Sequence, residues 1–442
     1  MGFVEFLIFP VYVALFYFLF SARRKNYSDP VLRYYHKQGF WIKVLAVLPF
    51  TIFNTFLSQG DSLVLYYTEG ANICHMILQD VSQIKWLYLP GADFDQTLLK
   101  EPLNLNYLLA ENNYMIVRIT AMLSFVTFQK YLIINLCFSM ISFSGVWRLY
   151  RFFYEQYPHL HKQFAIAILY LPTFVFWSSG ILKDPICTGA IGWITYGLYE
   201  IFYKKKNLFF NTVMILVFGY LLYIIKVYIL ISYVPFFLLY LVLKNVNLIK
   251  NIFLRMALVL GLIVGTVIMF TAVMAQLSET LVAYGGSDIT KNITSYQKAY
   301  SEQEEAGSNF ELGVEYDGSV SSLIRIAPAA IIATLYRPFF WESKKISTLL
   351  SSAESLAIML FTLFVFYKTG PVRFLRSLKE PVILYCILFA LLFALFVGAT
   401  TANFGTLVRY KIPCLPFYII ALFLIQDLNR KKISSPAIGG TA

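Results

Sequence analysis

The chain has 442 residues, of which 59% are hydrophobic, 18% are aromatic and only 14% are charged. A soluble domain carries roughly 25% charged residues, so this composition excludes a protein whose surface is mainly solvated by water. The net charge of +12 fits basic cytoplasmic loops of a membrane protein, and nucleic-acid binding is not expected. We therefore expect an all-α polytopic membrane protein with a single transmembrane domain over residues 1–442.

The hydropathy pattern predicts about eleven transmembrane helices, because apolar runs of the length that crosses a bilayer recur along the chain. The predicted spans cover approximately residues 2–21, 39–57, 131–148, 163–178, 185–203, 208–225, 227–243, 252–275, 347–367, 381–398 and 412–427.

Basic residues are concentrated in alternate connections between these spans, which predicts the orientation of the protein. Such connections hold Arg23 and Arg24, Arg148 and Arg151, and the KKK run at 204–206. An excess of Lys and Arg marks the cytoplasmic side of a membrane protein. We expect the N-terminus outside and the C-terminus in the cytoplasm.

Two long connections, at about 58–130 and 276–346, fall on the outer side of this topology. Each contains a shorter apolar piece with arginines, 114–128 in the first loop and 323–340 in the second. A further span at either place would break the charge alternation, so we expect interfacial or re-entrant helices there. Within the second loop, the segment 283–320 is rich in Gly, Ser, Glu and Tyr and is expected to be flexible.

The charged pair Lys183–Asp184 lies inside the otherwise apolar stretch FWSSGILKDPICTGAIG, residues 176–192. We expect residues 179–184 to form a short outer turn, so that both charges lie at the membrane boundary. Two interpretations of Asp184 stay open. It suits the cap of the next helix, with Pro185 at the first helical position, and it also suits contact with a substrate.

Polar and charged residues recur at the outer ends of the predicted spans. A single Lys or Arg in such a place often extends to the lipid headgroups without further function. Several distant segments on one predicted face favour a shared cavity that opens outward. These segments are QGDSLVLYY (59–67), Arg118, SSGILKD (178–184), Lys226, YRPFFWE (336–342) and NFGTLVRYK (403–411).

These residue types suit a sugar linked to a lipid phosphate. Lysine and arginine bind phosphate oxygens, arginine through its planar fork of donors, while carboxylates accept protons from hydroxyl groups. The predicted catalytic residues are Asp61, Arg337 and Arg409. The predicted substrate-binding residues are Lys183, Asp184, Arg118, Lys226, Glu342, Trp341, Asn403 and Lys411.

The sequence DFD at 93–95 has the form of a DxD motif that binds a metal and a sugar phosphate. Asp93 and Asp95 are therefore metal candidates, although two acids in a loop are more often simply solvated. The five cysteines and four histidines show no metal-ligand spacing. No cofactor is expected apart from a divalent metal ion at this motif.

In layout and in several motifs the chain resembles bacterial membrane proteins of surface-polysaccharide assembly, namely O-antigen and exopolysaccharide polymerases and GT-C-type glycosyltransferases. The resemblance lies in the many helices, the two external loops, and the segments GDSLVLYY, FWSSGILKD, RPFFWE and NFGTLVRYKIPCLPF. The polymerases imply that external arginines, here Arg337 and Arg409, bind lipid-diphosphate glycans. The GT-C group implies an acidic base in the first external loop, here Asp61.

Several functions are compatible with these features. The first is a glycan polymerase or transferase that uses a polyprenyl-(di)phosphate-linked saccharide at the external face. The second is a GT-C-type monosaccharide transferase that uses a polyprenyl-monophosphate sugar. The third is a lipid-linked glycan transporter or flippase, which predicts ionisable residues within spans and broken helices. A structural membrane partner is a fourth. The expected partners are the lipid-linked saccharide, membrane lipid, and a chain-length regulator or other polysaccharide-assembly proteins.

Overall fold

All regular secondary structure in the computed structural model is helical. The structure describes residues 2–58, 60–89, 110–245, 312, 320–343, 346–401 and 403–434, with scattered positions between 251 and 268. Within these ranges no β-strand is present. The expected all-α class is confirmed.

Six helices in the described ranges are long and apolar enough to cross a membrane. A seventh span results if Phe404–Tyr410 and Leu415–Arg430, which are bent by 61°, count as one. The six are Val4–Lys25, Pro30–Leu57, Tyr131–Gln156, Leu208–Lys244, Thr348–Thr369 and Pro381–Thr400. The protein is thus a helical, multi-pass membrane protein, but eleven spans are not confirmed.

The chain divides into two compact units, Met1–Val227 and Tyr228–Ala442. In the first unit, short π-helical turns extend several elements, for example at Phe53–Leu57 and Glu200–Lys204. Its helices are α1 (Phe3–Lys25), α2 (Pro30–Ile52), α3 (Thr68–Gln79), α4 (Glu111–Thr127), α5 (Tyr131–Gln156), α6 (His161–Phe164), α7 (Pro172–Trp177), α8 (Lys183–Tyr199) and the first part of α9 (Leu208–Lys244).

The core of the first unit is the contact between α5 and α8, on which α2 also packs. Glycines allow the backbones of α5 and α8 to touch. A Cβ atom on Gly145 would lie 1.8 Å from the carbonyl oxygen of Gly189, and one on Gly192 would lie 1.9 Å from that of Gly145. Small residues at such crossings are typical of membrane helices, where close packing holds helices together.

The second unit contains the rest of α9, the helix α10 inside the second predicted loop, and the helices that follow that loop. Helix α13 packs against both α10 and α15, and the Thr334 hydroxyl of α10 donates to the carbonyl oxygen of Ala394 at 2.7 Å. The helices are α10 (Val320–Tyr336), α11 (Ile346–Thr369), α12 (Pro371–Ser377), α13 (Pro381–Thr400), α14 (Phe404–Tyr410) and α15 (Leu415–Ser434).

The predicted span 163–178 is interrupted in the structure and does not form one helix. The chain passes through a π-helical turn, becomes extended at Leu171 (φ −62°, ψ 115°) and restarts as the six-residue α7. Proline at position 172 explains the break, since the residue before a proline avoids the helical conformation.

The predicted pair 208–225 and 227–243 corresponds to two helical segments of α9 that meet at a kink at Lys226, whose backbone angles are non-helical (φ −152°, ψ 73°). A straight helix of this length would measure roughly 55 Å, against a hydrocarbon core of roughly 30 Å. Lys226 thus lies at the kink, where the sequence predicted a boundary between two spans. The predicted span 252–275 falls largely outside the described residues.

Candidate functional site

The segment between α7 and α8, residues 178–182, is buried inside the first unit. Ser178, Ser179 and Ile181 have no exposed surface. The amide of Ile181 donates to the Asn135 side-chain oxygen at 2.8 Å. A Cβ atom on Gly180 would lie 1.9 Å from the Phe50 ring. The expected short connection between two helices is present, and neighbouring helices cover it; its place at the membrane boundary stays a prediction.

Asp184 and Lys226, both predicted as substrate-binding residues, form a buried ion pair. The Lys226 Nζ atom lies 2.6 Å from Asp184 Oδ1, and the two side chains are 4% and 0% exposed. The kink of α9 carries Lys226 to the first turn of α8. Ionisable side chains in such surroundings are rare and mark functional positions in membrane proteins by default.

The helix-cap interpretation of Asp184 is not what the structure shows. The N-cap of α8 is Leu182, which makes no side-chain cap hydrogen bond. Lys183 is therefore the first helical residue and is half-buried, and Pro185 is the third. Asp184 still benefits from the first turn, since a negative charge there is favoured by the helix dipole.

Lys43, near the middle of the span Pro30–Leu57, is a buried cation that the sequence interpretation missed. It is 3% exposed. Its Nζ donates to Ser178 O and Ser178 Oγ at 2.5 Å each, and to Ser142 Oγ at 3.2 Å. No carboxylate in the described part of the chain lies within ion-pair distance of it. Because Ser178 is the C-cap of α7, the Lys43 amine group satisfies the carbonyl oxygen at the end of that helix.

A hydrogen-bond chain joins Lys43 to the beginning of α8. Ser142 Oγ lies 3.1 Å from Thr188 Oγ1, and the Thr188 hydroxyl donates to the carbonyl oxygen of Asp184 at 2.9 Å. Lys43 and the Asp184–Lys226 pair therefore belong to one polar network inside the first unit. We call these three residues, with Ser142, Ser178 and Thr188, the first polar cluster.

In the second unit the structure joins the two segments RPFFWE and NFGTLVRYK. The Lys411 ammonium donates to the carbonyl oxygen of Arg337 at 2.9 Å and to Ser355 Oγ at 2.8 Å. The Arg337 guanidinium pairs with both oxygens of Glu342, with its Nε atom 3.1 Å from Oε2. Glu342 also accepts from the amide of Phe339 at 2.9 Å. Arg337, Glu342, Lys411 and Ser355 form the second polar cluster.

The members of the second polar cluster are buried to different extents. Lys411 is 1% exposed, whereas the side chains of Arg337 and Glu342 are 17% and 16% exposed. The guanidinium lies 5.2 Å from the centre of the Phe404 ring. The buried Lys411 side chain thus holds the backbone of Arg337, and the Arg337 guanidinium group is partly exposed.

The other predicted site residues of the second unit are close in sequence to the members of this cluster. Trp341 is 80% exposed and stacks on Phe339, with ring centres 4.8 Å apart. Asn403 caps α14 by accepting from the amide of Gly405 at 2.7 Å. Arg409 lies on α14 with its guanidinium 5.9 Å from the ring centre of Tyr410. An exposed aromatic face next to a cationic group is suited to a sugar and its phosphate.

The predicted residues of the first loop are arranged differently. Arg118 is 5% exposed and is held by an ion pair with Glu111, a bond to the carbonyl oxygen of Leu89 and the Tyr114 ring. Asp61 is half-buried at the start of a π-helical turn. Arg118 thus has a structural role in holding α4 to the segment before it.

The metal candidates Asp93 and Asp95 lie outside the described residues. Across the ranges that the structure describes, no group of three or more His, Cys, Asp or Glu side chains is arranged to hold a metal ion.

The chain matches no protein-family model, no curated protein and no solved structure.

Proposed function

We propose that the protein is a membrane glycosyltransferase or polysaccharide polymerase. It transfers a sugar or oligosaccharide from a polyprenyl-(di)phosphate-linked donor at the external (periplasmic) face of a bacterial inner membrane. The observation that carries the proposal is the contact between Lys411 and Arg337, 2.9 Å from Nζ to carbonyl oxygen. This contact joins the segments RPFFWE and NFGTLVRYK, whose basic residues were predicted from the sequence to bind phosphate.

Arg337 is the proposed phosphate ligand. Its partly open guanidinium is oriented by Glu342, and its backbone is fixed by Lys411. When a diphosphate binds, its oxygens share or replace the carboxylate as partners of the guanidinium. Arg409, on the same element as Phe404, is proposed to stabilise the leaving phosphate.

The chemical step follows from these roles. The acceptor hydroxyl attacks the anomeric carbon, the bond from that carbon to the phosphate oxygen breaks, and the lipid (di)phosphate leaves with the electron pair. A carboxylate takes the hydroxyl proton. In the second unit, Glu342 is the carboxylate beside Arg337 and is proposed to contact sugar hydroxyls. Asp61, in the first unit, stays the base that the resemblance to GT-C enzymes implies. Trp341 is proposed to pack against a sugar ring.

The finer topology belongs to the same proposal. The N-terminus is placed outside and the C-terminus in the cytoplasm, with eleven spans and two external loops at 58–130 and 276–346. A chain-length regulator or other assembly protein is the proposed partner of a polymerase. If the enzyme instead adds single sugars from a polyprenyl monophosphate, its products gain one residue at a time.

The proposal is tested by deleting the gene in its host and restoring it with variants. Arg337→Lys and Glu342→Gln are expected to leave single repeat units accumulated on the lipid carrier, since lysine cannot reproduce the two-pronged contact of arginine. The matched control is Arg373→Gln, an exposed residue of α12, which is expected to restore normal polymer. Normal polymer length from the Arg337 and Glu342 variants, at equal protein levels, contradicts the proposal.

A transporter or flippase for the same lipid-linked glycan is the second candidate, and a specific observation favours it. The buried Asp184–Lys226 pair lies at a break in a helix, next to the broken elements around α7. Transporters place charged residues at interrupted helices of this kind. The sidedness of the accumulated lipid-linked saccharide in the deletion strain separates the two. A transferase defect leaves it on the outer leaflet, and a transporter defect leaves it on the inner leaflet.

A further inference from the structure

An apolar cleft of about 490 Å³ lies between α1 and α2. Its walls include Phe9, Val13 and Tyr17 on α1 and Trp41, Leu45 and Leu48 on α2. The α1 residues are spaced by four and so share one face of that helix. They extend over roughly 12 Å along the axis. The cleft is an open groove with an almost wholly apolar lining, which suits contact with a hydrocarbon chain.

One end of the cleft is closed by aromatic and basic side chains. The rings of Tyr17 and Trp41 lie 5.8 Å apart. Beyond them, Arg24 donates to the Tyr17 hydroxyl at 3.2 Å and to Ser21 Oγ at 2.9 Å. Lys37, four residues before Trp41 in α2, is exposed. Tyrosine and tryptophan belong at the level of lipid headgroups, so this end lies at the membrane surface.

Among the described residues, the basic side chains at this end have neutral partners. The one acidic residue between Arg23 and Lys37 is Asp29, which accepts from the Val31 amide at 2.8 Å and from the Tyr154 hydroxyl at 2.5 Å. No carboxylate among the described residues pairs with Arg24 or Lys37. A hydrocarbon-sized cleft therefore ends at cations whose partners are neutral.

We propose that this cleft binds an anionic glycerophospholipid, with an acyl chain between α1 and α2 and the phosphate on Arg24 and Lys37. Basic groups beside a span attract anionic lipids of the cytoplasmic leaflet. The apolar walls add burial of the chain. The site is separate from both polar clusters, so it does not depend on the proposed transferase activity.

Native mass spectrometry of the full-length protein in detergent tests the site, with phosphatidylglycerol and phosphatidylcholine of identical acyl chains as probes. The double variant Arg24→Gln/Lys37→Gln is expected to bind phosphatidylglycerol about 25-fold more weakly, because each basic residue near an anionic headgroup contributes about fivefold. Ala14→Trp, which fills the cleft, is expected to abolish specific binding of both lipids. Arg373→Gln, which removes one charge elsewhere, is expected to have no effect.

Three results overturn the proposal. The first is equal affinity of the wild-type protein for both phospholipids. The second is a loss with Arg373→Gln as large as with the double variant, which indicates an effect of net charge. The third is binding of polyprenyl phosphate at this cleft with exclusion of phosphatidylglycerol. A melting temperature equal to that of the wild type verifies that each variant is folded.

Discussion

Buried charges in the first unit are each held by a specific partner. Asp184 has Lys226, and Lys43 has the serine oxygens at the end of α7. Removing one member of a buried pair is far more costly than replacing both, because the remaining charge is left without compensation. The first polar cluster should therefore respond to single substitutions as a coupled set.

Asp184→Asn is expected to destabilise the protein by about 3–5 kcal/mol, because it leaves the Lys226 ammonium buried without a counter-charge. Unfolding in mixed micelles titrated with sodium dodecyl sulfate measures the effect. The double variant Asp184→Asn/Lys226→Met should lose less than the sum of the two single variants. Strictly additive losses would show that the two side chains do not interact.

Lys43→Met is expected to cost about 1–3 kcal/mol, since it leaves buried serine oxygens and the last carbonyl of α7 without a donor. The control is Lys379→Met, an exposed lysine that belongs to neither polar cluster nor the lipid cleft, which should be close to neutral. The same unfolding titration reports both. Equal effects of the two variants would refute the role assigned to Lys43.

At the scale of elements, the contact between α5 and α8 sets the architecture of the first unit. Gly145, Gly189 and Gly192 let the two backbones approach until a methyl group no longer fits. Because α8 begins at Lys183, this contact also fixes the position of Asp184. Packing of the two helices and placement of the buried charge are therefore linked.

Gly192→Ala is expected to lower stability by roughly 1–3 kcal/mol, because the new methyl group overlaps the Gly145 carbonyl and forces the helices apart. Gly219→Ala is the control, since nothing lies within 4 Å of its Cβ position. Alanine there should be neutral or slightly stabilising in a helix. The apparent melting temperatures of the two variants and the wild-type protein measure these effects. A Gly192→Ala variant as stable as the wild type would contradict the close contact between α5 and α8.

Hydropathy predicted where apolar helices occur, but it could not predict their continuity. It placed a boundary at Lys226 because a charge interrupted the apolar run, and the structure has a kink there. The partner that makes the charge tolerable within a helix, Asp184, is 42 positions away in sequence. Likewise, the run 163–178 carries no charged residue, so only its break before Pro172 distinguishes it from a span. Local composition does not contain these tertiary contacts.

At the scale of the whole molecule, part of the candidate site was predictable. The residue types of RPFFWE and NFGTLVRYK indicated a shared cationic site, and Arg337, Glu342 and Lys411 do lie together. Arg118, chosen on the same grounds, is instead paired with Glu111. An isolated cation has the same appearance in sequence whether it binds a ligand or a neighbouring helix. Its role depends on contacts that only the fold supplies.

The proposed orientation is open to a direct test with introduced cysteines, because all five native cysteines are buried. Trp341→Cys is expected to react with a membrane-impermeant maleimide in intact cells. Lys206→Cys, in the basic KKK run, should react only after permeabilisation, as basic connections lie in the cytoplasm. The reverse pattern would place the second polar cluster on the inner side and exclude external transfer.

The most direct measurement of the central claim is the rate of sugar transfer by the purified protein in liposomes that contain a polyprenyl-diphosphate-linked saccharide. We predict that the wild-type protein makes longer lipid-linked products. We also predict that Arg337→Lys lowers the initial rate about 100-fold, as loss of one electrostatic contact in a transition state does. Transfer by Arg337→Lys at the wild-type rate would contradict the account.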